Sequence, residues 1–147
     1  MSFFGRLFNK SGDKWVFIGS NDCITDYYDS ESVKIYKEEP CCITLTCKRV
    51  YTAKGKKMLF DYFGKKNVNI DGIINVHHSL NSYNIYYKER TKQWLMTTYV
   101  SKSGEILEGG GSIMGCEYPP PRPEPIIPGT VDDLILNKLI KDYKNNT

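Results

Sequence analysis

The sequence predicts an α+β domain, a single antiparallel β-sheet of about six strands with a C-terminal helix packed on one face. Three observations predict it. Short strand-like segments separated by polar turns fill most of the stretch from Lys14 to Glu108. Of the 147 residues, 11 are Tyr, whose flat ring suits a half-buried pleated surface. Pro128-Gly129-Thr130 then opens a segment with apolar residues at helical spacing.

The elements follow in order. Lys14 to Gly19 is apolar enough for a strand partly covered on both faces, and Ser20-Asn21-Asp22 turns it. Cys23 to Asp29 is the next strand, and Asp29-Ser30-Glu31-Ser32 is a turn of side chains that bond their own backbone. Val33, Ile35 and Tyr36 resume a strand that Glu38-Glu39-Pro40 ends. Cys41 to Tyr51 alternates most cleanly, with Cys41, Ile43, Leu45 and Cys47 on one side and Cys42, Thr44, Thr46 and Lys48 on the other.

Met58, Leu59, Tyr62 and Phe63 have helical spacing, which predicts a short helix over Lys56 to Lys65. The basic run Lys54-Gly55-Lys56-Lys57 reads as a solvated loop. From Asn67 to Ser79 the pattern is ambiguous, with a small strand at Ile73 to His77. A meander follows: Tyr83 to Glu89, Gln93 to Ser101 and Glu105 to Glu108, joined through Arg90-Thr91-Lys92 and Ser101-Lys102-Ser103-Gly104. Gly109-Gly110-Gly111 then leads the chain out of the sheet.

Six of the 7 prolines fall between 119 and 128, a stretch expected to be an extended, stiff crossover rather than a docking motif. The helix is expected over 130–144, with Thr130 as N-cap and Asp132 and Asp133 in the first turn, where the helix dipole favours negative charge. Val131, Leu134, Ile135, Leu139 and Ile140, followed by Tyr143, form the stripe expected to dock on the sheet. Residues 1–12 are expected to be a flexible or amphipathic N-terminal segment, and 13–147 a single domain.

Composition excludes several classes. Hydrophobic residues at 40% and charged residues at 25% rule out a disordered chain, and a net charge of +3 is too small to argue for nucleic acid. No apolar run is long enough to span a bilayer, and Met1 to Lys10 offers no continuous signal-peptide core, so the expected location is the cytoplasm. An exported or surface-associated protein is the alternative if a leader was removed. Five cysteines, Cys23, Cys41, Cys42, Cys47 and Cys116, form neither a CxxC nor an even disulfide framework and read as free, partly buried thiols.

The sequence contains no GxSxG elbow, HExxH, Walker loop or dinucleotide fingerprint. His77 and His78 are adjacent, so in a regular strand they face opposite sides and form no two-His metal clamp. No catalytic residue, metal site or cofactor is nominated from the residues. His77 and His78 are retained as candidate axial ligands should a haem lie between sheet and helix.

Trp15-Val16, Tyr28-Asp29-x-Glu31-Ser32-Val33, the late strands Tyr83 to Glu89 and Trp94 to Tyr99, Gly104 before Ile106-Leu107, and Ile127-Pro128-Gly129-Thr130 recur in an order that resembles the surface-adhesin protein E family. The structural signature is Trp15, Tyr28, Asp29, Ser32, Pro128, Gly129 and Thr130. The resemblance covers most of the chain and implies an antiparallel sheet of about six strands with a helix on its concave face. It also implies a bacterial origin and, for exported members, adhesion to host proteins. The disulfide that ties a late strand to the helix in exported members has no counterpart here: the strand reads Tyr86-Tyr87-Lys88 and the helix has no Cys. That departure implies a relative held together by apolar docking.

The function expected is a non-enzymatic binding module that presents a sheet surface to a protein partner, with a homodimer as one form of it. The alternatives are a small-ligand or haem-binding domain and a hydrolase without a recognisable motif.

Overall fold

The structure, a computed structural model, describes residues 14–67, 69–107 and 122–143. The N-terminal segment 1–12, Glu108, Gly109-Gly110-Gly111, Cys116, the prolines at 119–121 and Lys144 lie outside the described residues. Among the described residues eight strands and two helices follow in order: β1 Trp15–Ser20, β2 Ile24–Asp29, β3 Lys34–Tyr36, β4 Cys42–Tyr51, α1 Ala53–Lys65, β5 Val76–Tyr86, β6 Thr91–Ser101, β7 Ile106–Leu107, β8 Glu124–Pro125 and α2 Val131–Tyr143. A single 3-10 turn, Asp71–Ile73, precedes β5.

All strands join one antiparallel sheet in the order β1-β2-β4-β5-β6-β7. Two short strands complete it. β3 pairs with the first residues of β4 while β2 pairs with the last, and β8 pairs with the start of β6 while β7 pairs near its end. Where the chain leaves β4 between β2 and β3, side chains fill the gap. The Asp29 carboxylate accepts from the Glu31 N–H at 2.9 Å, the Ser32 hydroxyl donates to the Asp29 carbonyl at 2.8 Å, and the Thr46 N–H donates to Ser32 Oγ at 2.9 Å. A hydroxyl thus stands in for the missing ladder carbonyl, which explains the Asp-Ser-Glu-Ser composition of this turn.

β4 is regular throughout its pairing, so its odd-numbered side chains share one face. At one end Ile43, Leu45 and Cys47 pack with Tyr28, Ile85 and Ile126 against Ile135, Leu136 and Leu139 of α2. At the other end Tyr51 joins Phe63, Ile73, Val76 and Tyr99 beside α1. Both helices therefore lie on the same face, over opposite ends of the strands.

α1 is longer than the sequence suggested. Thr52 caps it, its hydroxyl accepting from the Gly55 N–H at 3.1 Å, so the run Lys54-Gly55-Lys56-Lys57 is helix and not a solvated loop. Gly55 is buried, and a Cβ there would stand 2.0 Å from the Cys23 carbonyl oxygen. The glycine is needed for that close approach.

α2 begins at a turn over Ile127-Pro128-Gly129-Thr130, in which the Thr130 N–H donates to the Ile127 carbonyl at 3.3 Å and Gly129 has φ 85. Thr130 Oγ1 accepts from the Asp133 N–H at 3.4 Å, and the Asp133 carboxylate accepts from the Gly129 N–H at 3.0 Å. Two ion pairs tie this first turn to the β5–β6 hairpin: Arg90 with Asp133, and Lys92 with Asp132 at 2.7 Å. At the other end the Tyr28 hydroxyl donates to Asp142 at 2.6 Å.

These tethers set the rotation of α2, and the docking stripe is corrected accordingly. Ile135 and Leu139 are buried and Val131 and Tyr143 pack at the edge of the core, but Leu134 and Ile140 are 49% and 39% exposed. Leu136 is buried completely. It sits two residues, roughly 200°, around the helix from Leu134.

Three other expectations change. The small strand Ile73 to His77 and the strand Tyr83 to Glu89 are parts of, or run beyond, one strand, Val76–Tyr86. Bulges between Val76 and His78 and between Ser82 and Tyr83 break its alternation, and its buried Ser79 and Asn81 look like surface residues in sequence. The hairpin turn is consequently Tyr87–Arg90, with Arg90 at φ 53, and Thr91 and Lys92 already belong to β6. The proline-rich crossover is not merely a spacer: Pro125 and Glu124 pair with Thr91 and Lys92.

Candidate functional site

Between the two helices the covered face is polar. The pairing register sets Asp26 beside Arg49, Arg49 beside Ser79 and Ser79 beside Tyr99; one step along, Cys47 neighbours Asn81 and Asn81 neighbours Thr97. Arg49 donates twice to the Asp26 carboxylate, at 2.9 and 3.0 Å. Asn81 Nδ2 donates to Ser79 Oγ at 3.0 Å, which also lies 3.0 Å from the Tyr51 hydroxyl. Thr97 donates to Asn81 Oδ1 at 2.6 Å and accepts from Trp94 Nε1 at 2.7 Å.

Burial works against the Arg49 charge, but the Asp26 carboxylate more than offsets it and holds the guanidinium above its ordinary value. Burial pushes the neighbouring Cys47 thiol up to about 12. Among the described residues no buried side-chain nitrogen or oxygen lacks a partner. The row spends its polar atoms on itself, which makes it a brace for the middle of the sheet.

The histidine pair departs from the expectation. The bulge between Val76 and His78 turns two consecutive side chains toward each other, so the Nδ1 atoms of His77 and His78 lie 2.8 Å apart and the rings meet edge to face at 5.1 Å. One Nδ1 carries the proton and the other accepts it. Burial, then Lys48, Lys56 and Lys102, lower the His77 pKa; burial, then Lys48 and His77, bring His78 down to about 4. Both rings are neutral at neutral pH. Among the described residues no three His, Cys, Asp or Glu side chains converge on a point a metal could occupy. Neither histidine lines the groove between the sheet and α2, so the two parts of the haem expectation lie at opposite ends of the strands.

The opposite face of the sheet carries neither helix. Phe17 pairs with Tyr27, ring centroids 6.0 Å apart in an edge-to-face contact, and Phe17 is 54% exposed. Lys48, opposite Tyr27 on β4, holds its ammonium 5.4 Å from the Trp15 ring centre and 5.9 Å from that of Tyr27. Among the described residues no carboxylate lies within ion-pair distance of Lys48, whereas Lys14 beside it is neutralised by Asp29 at 3.1 Å. Exposed Tyr36 and Met96 share this face, across from Cys42 and Ser82.

The signature residues have structural places. Trp15 belongs to the open aromatic face, and Tyr28 anchors α2, burial and its bond to Asp142 raising its hydroxyl's pKa. Asp29 and Ser32 close the β2–β3 gap, and Pro128, Gly129 and Thr130 start α2. The sequence reading missed the Asp26, Arg49, Ser79, Asn81, Thr97 and Trp94 network and the placement of Lys48. The available signal was weak: Ser79 and Asn81 are two apart, as side chains on one strand face are, but their partners are known only once the register is known.

Two solved structures share this fold. Haemophilus influenzae protein E superposes with a TM-score of 0.55 at 10% identity, covering 90% of this chain and 87% of that one. A second structure of protein E, from non-typeable Haemophilus influenzae, gives a TM-score of 0.54 at 10% identity, with 90% and 78% covered. No protein-family model and no curated protein sequence matches the chain. The likeness is one of fold.

Proposed function

We propose that the chain is a non-enzymatic binding module of the protein E type, whose open sheet face receives an acidic segment of a protein partner. The observation that carries this reading is the cluster of exposed Phe17 with half-buried Trp15 and Tyr27, where Lys48 sits over two of the rings with no described carboxylate to neutralise it. Aromatic rings supply contact area at small entropic cost, and a lysine unpaired among the described residues supplies charge complementarity. The internally satisfied polar row on the other face leaves the chemistry of this molecule on its surface. The distant likeness to protein E agrees with a binding role.

The test uses two synthetic peptides, one alternating Glu and Leu and one alternating Lys and Leu. Saturable binding of the acidic peptide is expected, with Trp fluorescence as the readout, weakened by added salt and by Lys48→Glu or Phe17→Ser. Equal binding of both peptides, or binding indifferent to Lys48→Glu, refutes the proposal. A second copy of this chain is the competing occupant; a dimer in sedimentation that Phe17→Ser dissolves would replace the acidic partner with self-association.

A further inference from the structure

We infer that the groove between β3, β4 and α2 binds a free, single-chain amphipathic carboxylate. Ile35 and Ile43 form its floor, Leu139, Ile140 and Tyr143 one wall and Tyr87 the other, around a volume of about 390 Å³. That volume lies within the usual range for small-molecule sites. Ile43 and Leu139 belong to the buried core, so the base of the groove is firm.

The lining leaves one polar demand open. The Tyr143 hydroxyl donates to the Ser30 carbonyl at 3.4 Å and the Tyr87 hydroxyl to the Tyr36 carbonyl at 3.3 Å, so both residues line the groove with their hydroxyls already engaged. Lys37 is the charged residue of the lining, and among the described residues no carboxylate lies within ion-pair distance of it. Glu39, two residues away, is engaged by Lys88 at 3.4 Å. Apolar walls with a single cation at the rim match a hydrocarbon chain ending in one negative charge. The C-terminal end of α2, which by itself repels anions, carries Lys141 in its last turn.

Ile140 explains itself on this reading. It is an apolar side chain 39% exposed, and it lines the groove, where a ligand would cover it. The site is separate from the open sheet face, which holds Phe17 and Lys48 on the other side of the sheet.

The experiment is calorimetric titration of the whole chain with decanoate and with decan-1-ol, both below their aggregation concentrations. Decanoate is expected to bind at one saturable site, with decanol about tenfold weaker for want of the charged contact. Lys37→Met should bring the two ligands to equal affinity. Ile140→Asp should abolish both while leaving the circular dichroism spectrum in place and lowering the unfolding midpoint only modestly, since Ile140 is 39% exposed and not in the core. Phe17→Ser should change neither, which separates this site from the proposed protein-binding face. Linear, unsaturable uptake of decanoate, equal wild-type affinity for the two ligands, or binding that survives Ile140→Asp would overturn the inference. So would Ile140-dependent cosedimentation with phosphatidylglycerol vesicles in the absence of decanoate binding, which would assign the groove to a membrane surface.

Discussion

Replacing Leu136 with Ala should destabilise the chain far more than replacing Leu134, although both are leucines of one helix two residues apart. Leu136 is fully buried in the main core, whereas Leu134 is 49% exposed and lies beside Gly19 of β1. Truncating a buried leucine removes three carbons, about 2.4 kcal/mol at ~0.8 kcal/mol for each, and the cavity left behind raises the cost to about 3–4 kcal/mol. The half-exposed leucine should lose less than about 1 kcal/mol. Helix propensity changes equally in both variants and cancels in the comparison. In urea, with a slope of about 1.5 kcal/mol per molar, the midpoint should fall by about 2 M for Leu136→Ala and by less than about 0.7 M for Leu134→Ala. Equal losses, or a larger loss at Leu134, would mean that α2 is rotated by about half a turn, and the account of its ion pairs with Arg90 and Lys92 would fall with it.

Further outcomes follow from the brace, the glycine and the histidines. Asp26→Ala should cost about 2 kcal/mol, less than a fully enclosed pair because the Arg49 side chain is 37% exposed. Asp26→Leu with Arg49→Met should recover much of that loss in urea unfolding, and a double variant no more stable than the single one would show that the ion pair is not the cause. Gly55→Ala, which in an ordinary helix gains roughly 1 kcal/mol, should instead lower the thermal midpoint, because its Cβ would meet the Cys23 carbonyl; a raised midpoint refutes the close approach. The folded chain holds His78 at about 4, below its ordinary 6.5, so the unfolded chain takes up the proton first. The contribution is complete above 6.5 and is lost as pH falls toward 4. The Lys48, Lys56 and Lys102 ammonium groups, from β4, α1 and the β6–β7 turn, oppose protonation of the pair. An NMR titration in which the His78 ring ionises near 6.5, or urea curves in which His78→Gln leaves the acid-side loss unchanged, would contradict this.

The parts of the fold legible in sequence are those governed by local pattern. The alternation of Cys41 to Cys47 marked the central strand and its buried side, and Thr130 with Asp132 and Asp133 marked the start of the last helix within one residue. Where tertiary contacts override the pattern, the reading slipped. β5 carries Ser79 and Asn81 inward because Arg49, Tyr51 and Thr97 wait on neighbouring strands, and two bulges shift its phase. The histidines face each other because of one of those bulges. The choice of Leu136 over Leu134 follows from ion pairs and a tyrosine bond supplied by residues 40 to 114 positions away along the chain.

By itself the sequence determined the class of this protein: which segments extend, where the last helix starts, and that its apolar side needs a sheet to cover it. Those properties depend on period, capping and composition, which act within a few residues. Strand register, the rotation of α2, the polar row between the helices, the groove beside Ile140 and the aromatic face around Lys48 were decided only by the tertiary structure. Each is a meeting of residues far apart in the chain, and a meeting of that kind has no energy until the strands are paired.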